Sequence, residues 1–344
     1  MNKTRIAING LGRIGRMVFR KAILDDTVEV VAINASYPPE TLAHMIKYDS
    51  VHGKLNANVK ALNNGLEIDG KEVKLCSTRD PRELPWAEYD IDVVVEATGK
   101  FKTKEDAGLH IEAGAKKVVI TAPGKEVDAT IVMGVNEETY QPEEHDVISN
   151  ASCTTNCLAP VVKVLDDKFG IENGLMTTVH AFTNDQKNLD NPHKDLRRAR
   201  GCTQSIIPTS TGAAKALGEV LPHMSGKLHG MALRVPTPNV SLVDLVVDLK
   251  QDVTAEEVNE AFRNEAGNAL KGIMEYSDEP LVSIDYTTSE FSTIIDGLST
   301  IVMQDRKVKV LAWYDNEWGY SCRVVDLVKF VGSKLGEKST ARVS

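Results

Sequence analysis

Two side chains that lie far apart in the sequence have the chemistry to work as a pair. Cys153 sits in "SNASCTTNC", where an apolar strand gives way to a helix. A thiol at a helix N-terminus feels the positive end of the aligned peptide dipoles, which favours its thiolate. His180 sits in "TVHAFTNDQ", on a separate strand. An imidazole brought against a thiol can activate it as a nucleophile. A lone histidine in an apolar strand is more often a core residue, so the pair gains weight from its neighbours. Ser152 and Thr154 flank the cysteine, Thr183 follows the histidine, Thr211 and Gly212 precede a helix in "PTSTGAAKAL", and Arg234 lies in "ALRVPTP". Hydroxyls, amides at a helix start and guanidinium groups are the donors that phosphate recognition uses. Cys157, one helical turn after Cys153, reads as a packed structural thiol. No metal site is expected.

A second chemical signature opens the chain. "NGLGRIG" supplies Gly10, Gly12 and Gly15 in the G-x-G-x-x-G pattern, leaving a predicted strand and opening a predicted helix. Gly10 permits the tight turn, Gly12 lets backbone approach a pyrophosphate, and Gly15 lets helix and strand pack closely. An acid that holds the ribose 2′-hydroxyl belongs about 20 residues further on. That position is Ala35, with Ser36 after it. An aspartate there would repel a 2′-phosphate; alanine and serine leave room for one, and Ser36 can donate to it. The site therefore reads as one for NADP, with NAD a lesser alternative.

The elements that must position these groups follow from periodicity. Residues 5–9 and 28–34 read as strands joined by a helix over 17–25, a unit of mononucleotide-binding size. "DVVVEATG" and "KVVIT" are Val/Ile runs without alternation, as in a parallel sheet covered on both faces. After Gly174 the character changes to the alternating runs "LMTTVHAF", "GMALRVPTPNVSLVDLVVDL" and "KVKVLAWYD", which suit an antiparallel sheet with one packed face. The polar stretch 183–206, which holds Arg197, Arg198 and Arg200, is too long to be an idle connection. Gly170 is placed to end the helix that starts near Cys153, Thr254 to cap another, and "CRVVDLVKFVGSKLGE" reads as an amphipathic helix. The fold class is α/β: an N-terminal Rossmann dinucleotide-binding domain over residues 1–152, rejoined by a C-terminal helix over 319–344, and an α+β domain over 153–318 with a mixed, largely antiparallel sheet.

Bulk properties narrow the class. The 344 residues suit two domains, and a formal net charge of -9 argues against nucleic acid or an anionic membrane surface as partner. Five cysteines in no disulfide or zinc spacing fit a reducing compartment. The opening residues lack the apolar core of a secretory signal, so a cytoplasmic location is expected.

The chain resembles the glyceraldehyde-3-phosphate dehydrogenase family. The likeness runs through "INGLGRIGR", "SNASCTTNC", "HAFTNDQ", "HKDLRRAR", "PTSTGAAKAL", "RVPTPNVSLVDL" and "WYDNEWGYS", covering nearly the whole chain. The resemblance implies that Cys153 attacks an aldehyde, that His180 takes the proton, that hydride passes to a nicotinamide ring, and that inorganic phosphate releases an acyl phosphate from a thioester. It implies an inorganic-phosphate side made by Ser152, Thr154, Thr211, Gly212 and Arg198, and a substrate-phosphate side made by Thr183 and Arg234. It places Arg13 and Ile14 at the phosphate turn, Arg79 in "TRDP" and Thr98 near the adenosine half, and Thr121, Asn316 and Tyr320 toward the nicotinamide. It also implies a homotetramer acting on a phosphorylated aldehyde and inorganic phosphate. Two departures from NAD-using members, Ala35–Ser36 and Asn191 before Pro192, run in the direction of NADP-using bacterial relatives of gluconeogenesis. The nearest alternatives are erythrose-4-phosphate dehydrogenase, non-phosphorylating aldehyde oxidation, and a nucleotide-binding redox sensor without catalysis.

Overall fold

The structure, a computed structural model, describes residues 3–341. The chain forms two compact units. One runs from the first described residue to Ile131, takes in Glu138–Ala151 and resumes at Ser321; the other holds Val132–Glu137 and Ser152–Tyr320. Residues 132–137, placed with the first domain on sequence grounds, thus pack with the second. Residues 342–344, the end of the expected C-terminal helix, lie outside the described residues.

The first unit is built on a nine-stranded sheet. Its parallel centre runs Val147–Ser149, Lys117–Ile120, Val93–Glu96, Thr4–Asn9, Val28–Asn34, Lys71–Cys76. Val93–Glu96 and Lys117–Ile120 are buried throughout. That burial explains their unbroken apolar runs, because both faces of a parallel sheet are covered. Thr4–Asn9 pairs with both Val28–Asn34 and Val93–Glu96, so the chain reverses its strand order beside the first turn. Ligand crevices of open α/β sheets form at such a switch point.

The first helix spans Arg13–Ala22, earlier than the periodicity predicts, because Gly12 is its N-cap and Arg13 already has helical backbone. Gly10 has φ 94, and a Cβ on it would press on Thr98 at 2.8 Å. A Cβ on Gly15 would lie 1.9 Å from the carbonyl oxygen of Gly10. Both positions therefore exclude a side chain, one by conformation and space, the other by space alone.

The second unit is built on an eight-stranded mixed sheet in the order Ile207–Ser210, Leu228–Val235, Ile171–Ala181, Ser241–Leu249, Lys307–Tyr314, Thr293–Asp296, Met274–Ser277, with Ile301–Met303 on the side of Lys307–Tyr314. Five of its pairings are antiparallel and two parallel. Ser241–Leu249 and Lys307–Tyr314 alternate buried and half-buried residue by residue. One face is packed by the helices Cys153–Phe169, Ala213–Val220 and Ala255–Gly267. The first of these ends at Gly170 with φ 70, and the last starts with a reciprocal Thr254–Glu257 capping box. No helix among the described residues is long and apolar enough to cross a membrane.

Gly15→Ala is expected to cost about 2 kcal/mol or more by forcing helix and turn apart. Thermal unfolding should show the loss, together with weakened dinucleotide binding. A variant that melts and binds as the wild type would remove the close approach from this account.

Candidate active site

The chain leaves the strand Val147–Ser149 and passes through Ala151 at φ 54, a left-handed conformation that costs a non-glycine residue about 1 kcal/mol or more. Ser152 follows as N-cap, and its Oγ accepts from the Thr155 amide at 3.0 Å. Cys153 is therefore the first helical residue, half-buried, above the unpaired amides of the helix start. Thr154 is buried. Its hydroxyl bonds the Tyr314 hydroxyl at 2.9 Å, which also bonds the Thr178 hydroxyl at 2.8 Å. With its hydroxyl bonded to Tyr314, Thr154 has its backbone N–H to offer at the helix start.

Thr178 and His180 lie two apart on the strand Ile171–Ala181, so they share a face. The Tyr314 bridge thus joins the helix that carries the thiol to the strand that carries the imidazole. Cys153 Sγ lies 3.6 Å from His180 Nε2. His180 Nδ1 lies 2.7 Å from the carbonyl oxygen of Ala181, an acceptor only, and 3.1 Å from Arg234 Nη1, a donor only; the shorter contact needs a proton between its two atoms, and it puts the ring proton on Nδ1. Nε2 is left as the acceptor that faces the thiol. Burial, then the Arg234 charge, pushes the imidazole pKa down from 6.5 to about 3. Burial pushes the Cys153 thiol up, while Arg234 and the Thr154 hydroxyl and amide pull against it. At rest the site therefore holds a neutral acceptor beside a thiol, with a cation close by.

That cation is anchored. Arg234 Nη1 donates to the Ala181 carbonyl at 3.0 Å and to the Thr183 hydroxyl at 3.2 Å and lies 3.1 Å from His180 Nδ1, and its Nε is buried without a hydrogen-bond partner among the described residues. Burial and then the positive charge of Arg198 lower the Arg234 pKa. Arg198 is held by Asp185 at 2.5 Å, by the Thr209 hydroxyl at 3.0 Å and by the Ser210 carbonyl at 3.2 Å. Two guanidinium groups that repel each other beside an orphaned donor make a place for an anion. Thr211 Oγ accepts from the Ala213 amide at 3.2 Å, and Gly212 caps the helix Ala213–Val220 with open space around its Cα.

The residues expected on sequence grounds to meet a dinucleotide fall as follows. The helix at Gly12 has no side-chain cap and no acid in its first turn, and a Cβ at Gly12 would meet nothing. Uncapped amides beside open space fit a diphosphate. Arg13, in contrast, is paired with the buried carboxylate of Asp49. Burial opposes ionisation of Asp49, yet Arg13 and the amides of His52 and Val51 hold its pKa well below the ordinary range. Ile14 follows Arg13 in the first helical turn. The Ala35 amide bonds the Cys76 carbonyl at 3.0 Å, Ser36 is exposed, and the Thr78 amide bonds Asn34 Oδ1 at 3.1 Å. Arg79 therefore follows a residue tied to the end of the Val28–Asn34 strand. It is exposed, and among the described residues it has no carboxylate partner. Thr98 and Thr121 are both bonded to Glu96. Asn316 and Tyr320 belong to the second unit: Asn316 accepts from the Ser241 hydroxyl at 2.7 Å, and burial, then proximity to Cys153, pushes the Tyr320 phenol far up.

A family profile for the glyceraldehyde 3-phosphate dehydrogenase C-terminal domain matches residues 152–316, and one for the NAD-binding domain of the same enzyme matches residues 4–104. The chain belongs to the glyceraldehyde-3-phosphate dehydrogenase family. It is 70% identical over 337 residues to glyceraldehyde-3-phosphate dehydrogenase 2 of Bacillus subtilis (strain 168), covering 98% of this chain and 99% of that protein. It is 62% identical over 342 residues to the protein of that name in Staphylococcus aureus (strain MRSA252), covering 99% of each. As a member of the glyceraldehyde-3-phosphate dehydrogenase family it is an oxidoreductase that acts on an aldehyde with a nicotinamide dinucleotide.

Several residues that build this dehydrogenase site escape a reading by motif. Tyr314, Asp185 and Asp49 act by pairing with residues that the motifs do name. Glu96 carried a usable signal: a carboxylate that closes the buried run "VVVE" demands donors from elsewhere.

His180→Asn removes the acceptor from the thiol, and alkylation of Cys153 by iodoacetamide at neutral pH should slow about tenfold or more. The same variant tests the low imidazole pKa. The unfolded chain takes up a proton below pH 6.5 that the folded chain refuses until about pH 3. Stability from the neutral imidazole is thus fully present above 6.5 and is lost as pH falls through that window. Wild-type stability should fall more steeply with acid than that of His180→Asn, by up to about 1.4 kcal/mol per pH unit. Parallel melting curves across the window would contradict the assignment.

Proposed function

We propose that the protein is a phosphorylating glyceraldehyde-3-phosphate dehydrogenase that prefers NADP and works through a thioester on Cys153, interconverting glyceraldehyde 3-phosphate plus phosphate with 1,3-bisphosphoglycerate. The observation that carries this reading is Cys153 Sγ at 3.6 Å from an acceptor Nε2, with Arg234 close to both groups and Arg198 close to Arg234.

Cys153 gives its proton to His180 Nε2, its sulfur adds to the aldehyde carbon, and His180 passes that proton to the alkoxide formed, leaving a hemithioacetal beside a neutral imidazole. The bound dinucleotide supplies a two-electron hydride acceptor. As the carbon loses hydride, its hydroxyl proton leaves to His180, and the carbon becomes a thioester on Cys153. Phosphate then attacks that carbon, the C–S bond breaks, and an acyl phosphate departs with the thiolate restored. Arg234 with Thr183 would hold the substrate's own phosphate. Arg198, Thr211, Gly212, Ser152 and the Thr154 amide would hold the attacking one. The repulsion between the two guanidiniums is relieved when anions arrive, so binding and site assembly go together.

For the dinucleotide, Gly10, Gly12, Ile14 and Gly15 offer the turn and its uncapped amides. The second ribose faces Ala35 and Ser36 instead of an acid, and unpaired Arg79 stands next to them. An arginine near a missing acid is how a 2′-phosphate is accommodated. NADPH then suits the reductive, gluconeogenic direction.

The solvent face of the second unit's sheet supports a homotetramer. Strand register puts Leu175, Met231, Ile301 and Met303 on that one face, all exposed. Exposed apolar residues gathered on one face mark an association surface, and light scattering should return the mass of four chains.

Cys153→Ser should abolish turnover while the dinucleotide still binds. Omitting phosphate should stop the wild-type reaction; undiminished turnover would favour hydrolysis of the thioester. Steady-state comparison should show NADP ahead of NAD and the triose phosphate ahead of erythrose 4-phosphate. Arg79→Ala should raise the KM for NADP about tenfold and leave NAD nearly unchanged, the value of one charge-assisted contact. Ala35→Asp should lower the ratio of NADP to NAD efficiency. An unchanged ratio in both variants would place discrimination elsewhere.

A further inference from the structure

Beneath the glycine turn lies a buried polar cluster that no motif names. Glu96, Asn9 and His110 are each at most 2% exposed. Four donors converge on the Glu96 carboxylate. Oε1 accepts from the Thr98 amide at 2.8 Å and from the Thr98 hydroxyl; Oε2 accepts from Asn9 Nδ2 at 2.5 Å and faces His110 Nε2 at 3.1 Å. Trp86 Nε1–H, a donor only, points at His110 Nδ1 at 3.0 Å. Nδ1 is therefore the acceptor, and the ring proton lies on Nε2, directed at Glu96.

The carboxylate accepts and cannot donate, and that property propagates. It turns the Asn9 amide so that Nδ2 faces Glu96 and Oδ1 faces away. Asn9 Oδ1 then takes Asn34 Nδ2 at 2.7 Å. Asn34 in turn donates to the Thr78 carbonyl at 2.9 Å and accepts from the Thr78 amide at 3.1 Å. One end of the relay sets the residue before Gly10 and the threonine against which Gly10 packs. The other end sets the residue before Arg79. The Glu96 carbonyl also takes the Thr121 amide at 3.0 Å, so the loops after three parallel strands are tied to one residue.

We propose that Glu96, held by the Trp86-oriented His110, is a positioning residue for the dinucleotide site: it fixes the amide orientations of Asn9 and Asn34 and the hydroxyl of Thr98, and through them the glycine turn and the loop that carries Arg79. Glu96 touches no cofactor atom in this role. The inference rests on dinucleotide binding by the first unit and not on which dinucleotide is preferred.

Glu96→Gln is the direct test. Its oxygen can still serve Thr98, but its NH2 then meets Asn9 Nδ2 and His110 Nε2–H, three donors with no acceptor. Calorimetry on the purified full chain, with NAD and NADP measured separately, should show both dinucleotides bound about tenfold or more weakly. The kcat at saturating dinucleotide and the KM for aldehyde and phosphate should stay within about twofold, a split that general destabilisation does not produce. A second pair keeps the test alive if Glu96→Gln does not fold. His110→Gln retains a donor toward Glu96 and an acceptor toward Trp86, and should bind as the wild type. His110→Leu keeps bulk without the donor and should bind both dinucleotides weakly. Nitrogen chemical shifts of His110 in the wild type should report a protonated Nε2 and a bare Nδ1. A folded Glu96→Gln or His110→Leu that binds both dinucleotides normally, or a proton on Nδ1, would overturn the proposal. Weakening of NADP alone would also overturn it, because that outcome reports Arg79 and not the turn.

Discussion

The hydroxyl of Tyr314 is the constraint on which the chemistry depends. A thiol and an imidazole come within 3.6 Å only if the start of one helix and one strand of a sheet are held in fixed relation. The buried Tyr314 hydroxyl reaches Thr154 on the first and Thr178 on the second. Each hydroxyl can donate one bond and accept others, so three side chains satisfy one another with no water needed. Burial makes the arrangement rigid, because leaving any of the three unpaired in a low dielectric costs about 1–3 kcal/mol. The thiol and imidazole are thus located by the core, and Arg198, on the longer, more polar segment, is held by other means.

That segment follows a different logic. The stretch between Ala181 and Ile207 has no regular element, and side chains order it instead: Asp185 holds Arg198, Asp195 takes the Thr209 hydroxyl, and Asp190 pairs with Arg200. Acidic residues there offset part of the positive charge of Arg198, which lies near Arg234. The repulsion between these two guanidiniums persists in the depressed pKa of Arg234. The proposed binding of two anions in succession would need this balance, since unopposed cations would hold the product as firmly as the substrate.

Legibility in the sequence tracked the range of the interaction. Gly10 and Gly15 were readable because what excludes a side chain there is local, a positive φ or an oxygen five residues away. Gly170 and the Thr254–Glu257 cap were readable for the same reason. The first helix began four residues before the periodicity implied, since a helix that starts at a glycine N-cap leads with Arg13 and Ile14 in place of an apolar stripe. Cys153 was readable from its strand-to-helix setting, and the pairing with His180 only as a conjecture that geometry had to complete. Tyr314 gave no signal at all: its partners lie 136 and 160 residues away, and an aromatic residue in an alternating strand looks like core. The bonding of the Thr154 hydroxyl into the core was not legible on the same grounds, because sequence shows a residue's capacity for hydrogen bonding and not its direction.

The pairing of Arg13 with Asp49 separates the two ends of the dinucleotide cleft in kind. Around the glycine turn the guanidinium is already committed, so what meets a diphosphate there is an array of peptide dipoles with no mobile counter-ion to release. At Arg79 the guanidinium is exposed and carries its own ion atmosphere. Ionic strength acts on the second and hardly on the first, because screening works between solvent-exposed charges. If Arg79 reads a 2′-phosphate as proposed, dissolved salt is a dial that turns discrimination between the coenzymes while leaving the shared part of their binding almost untouched.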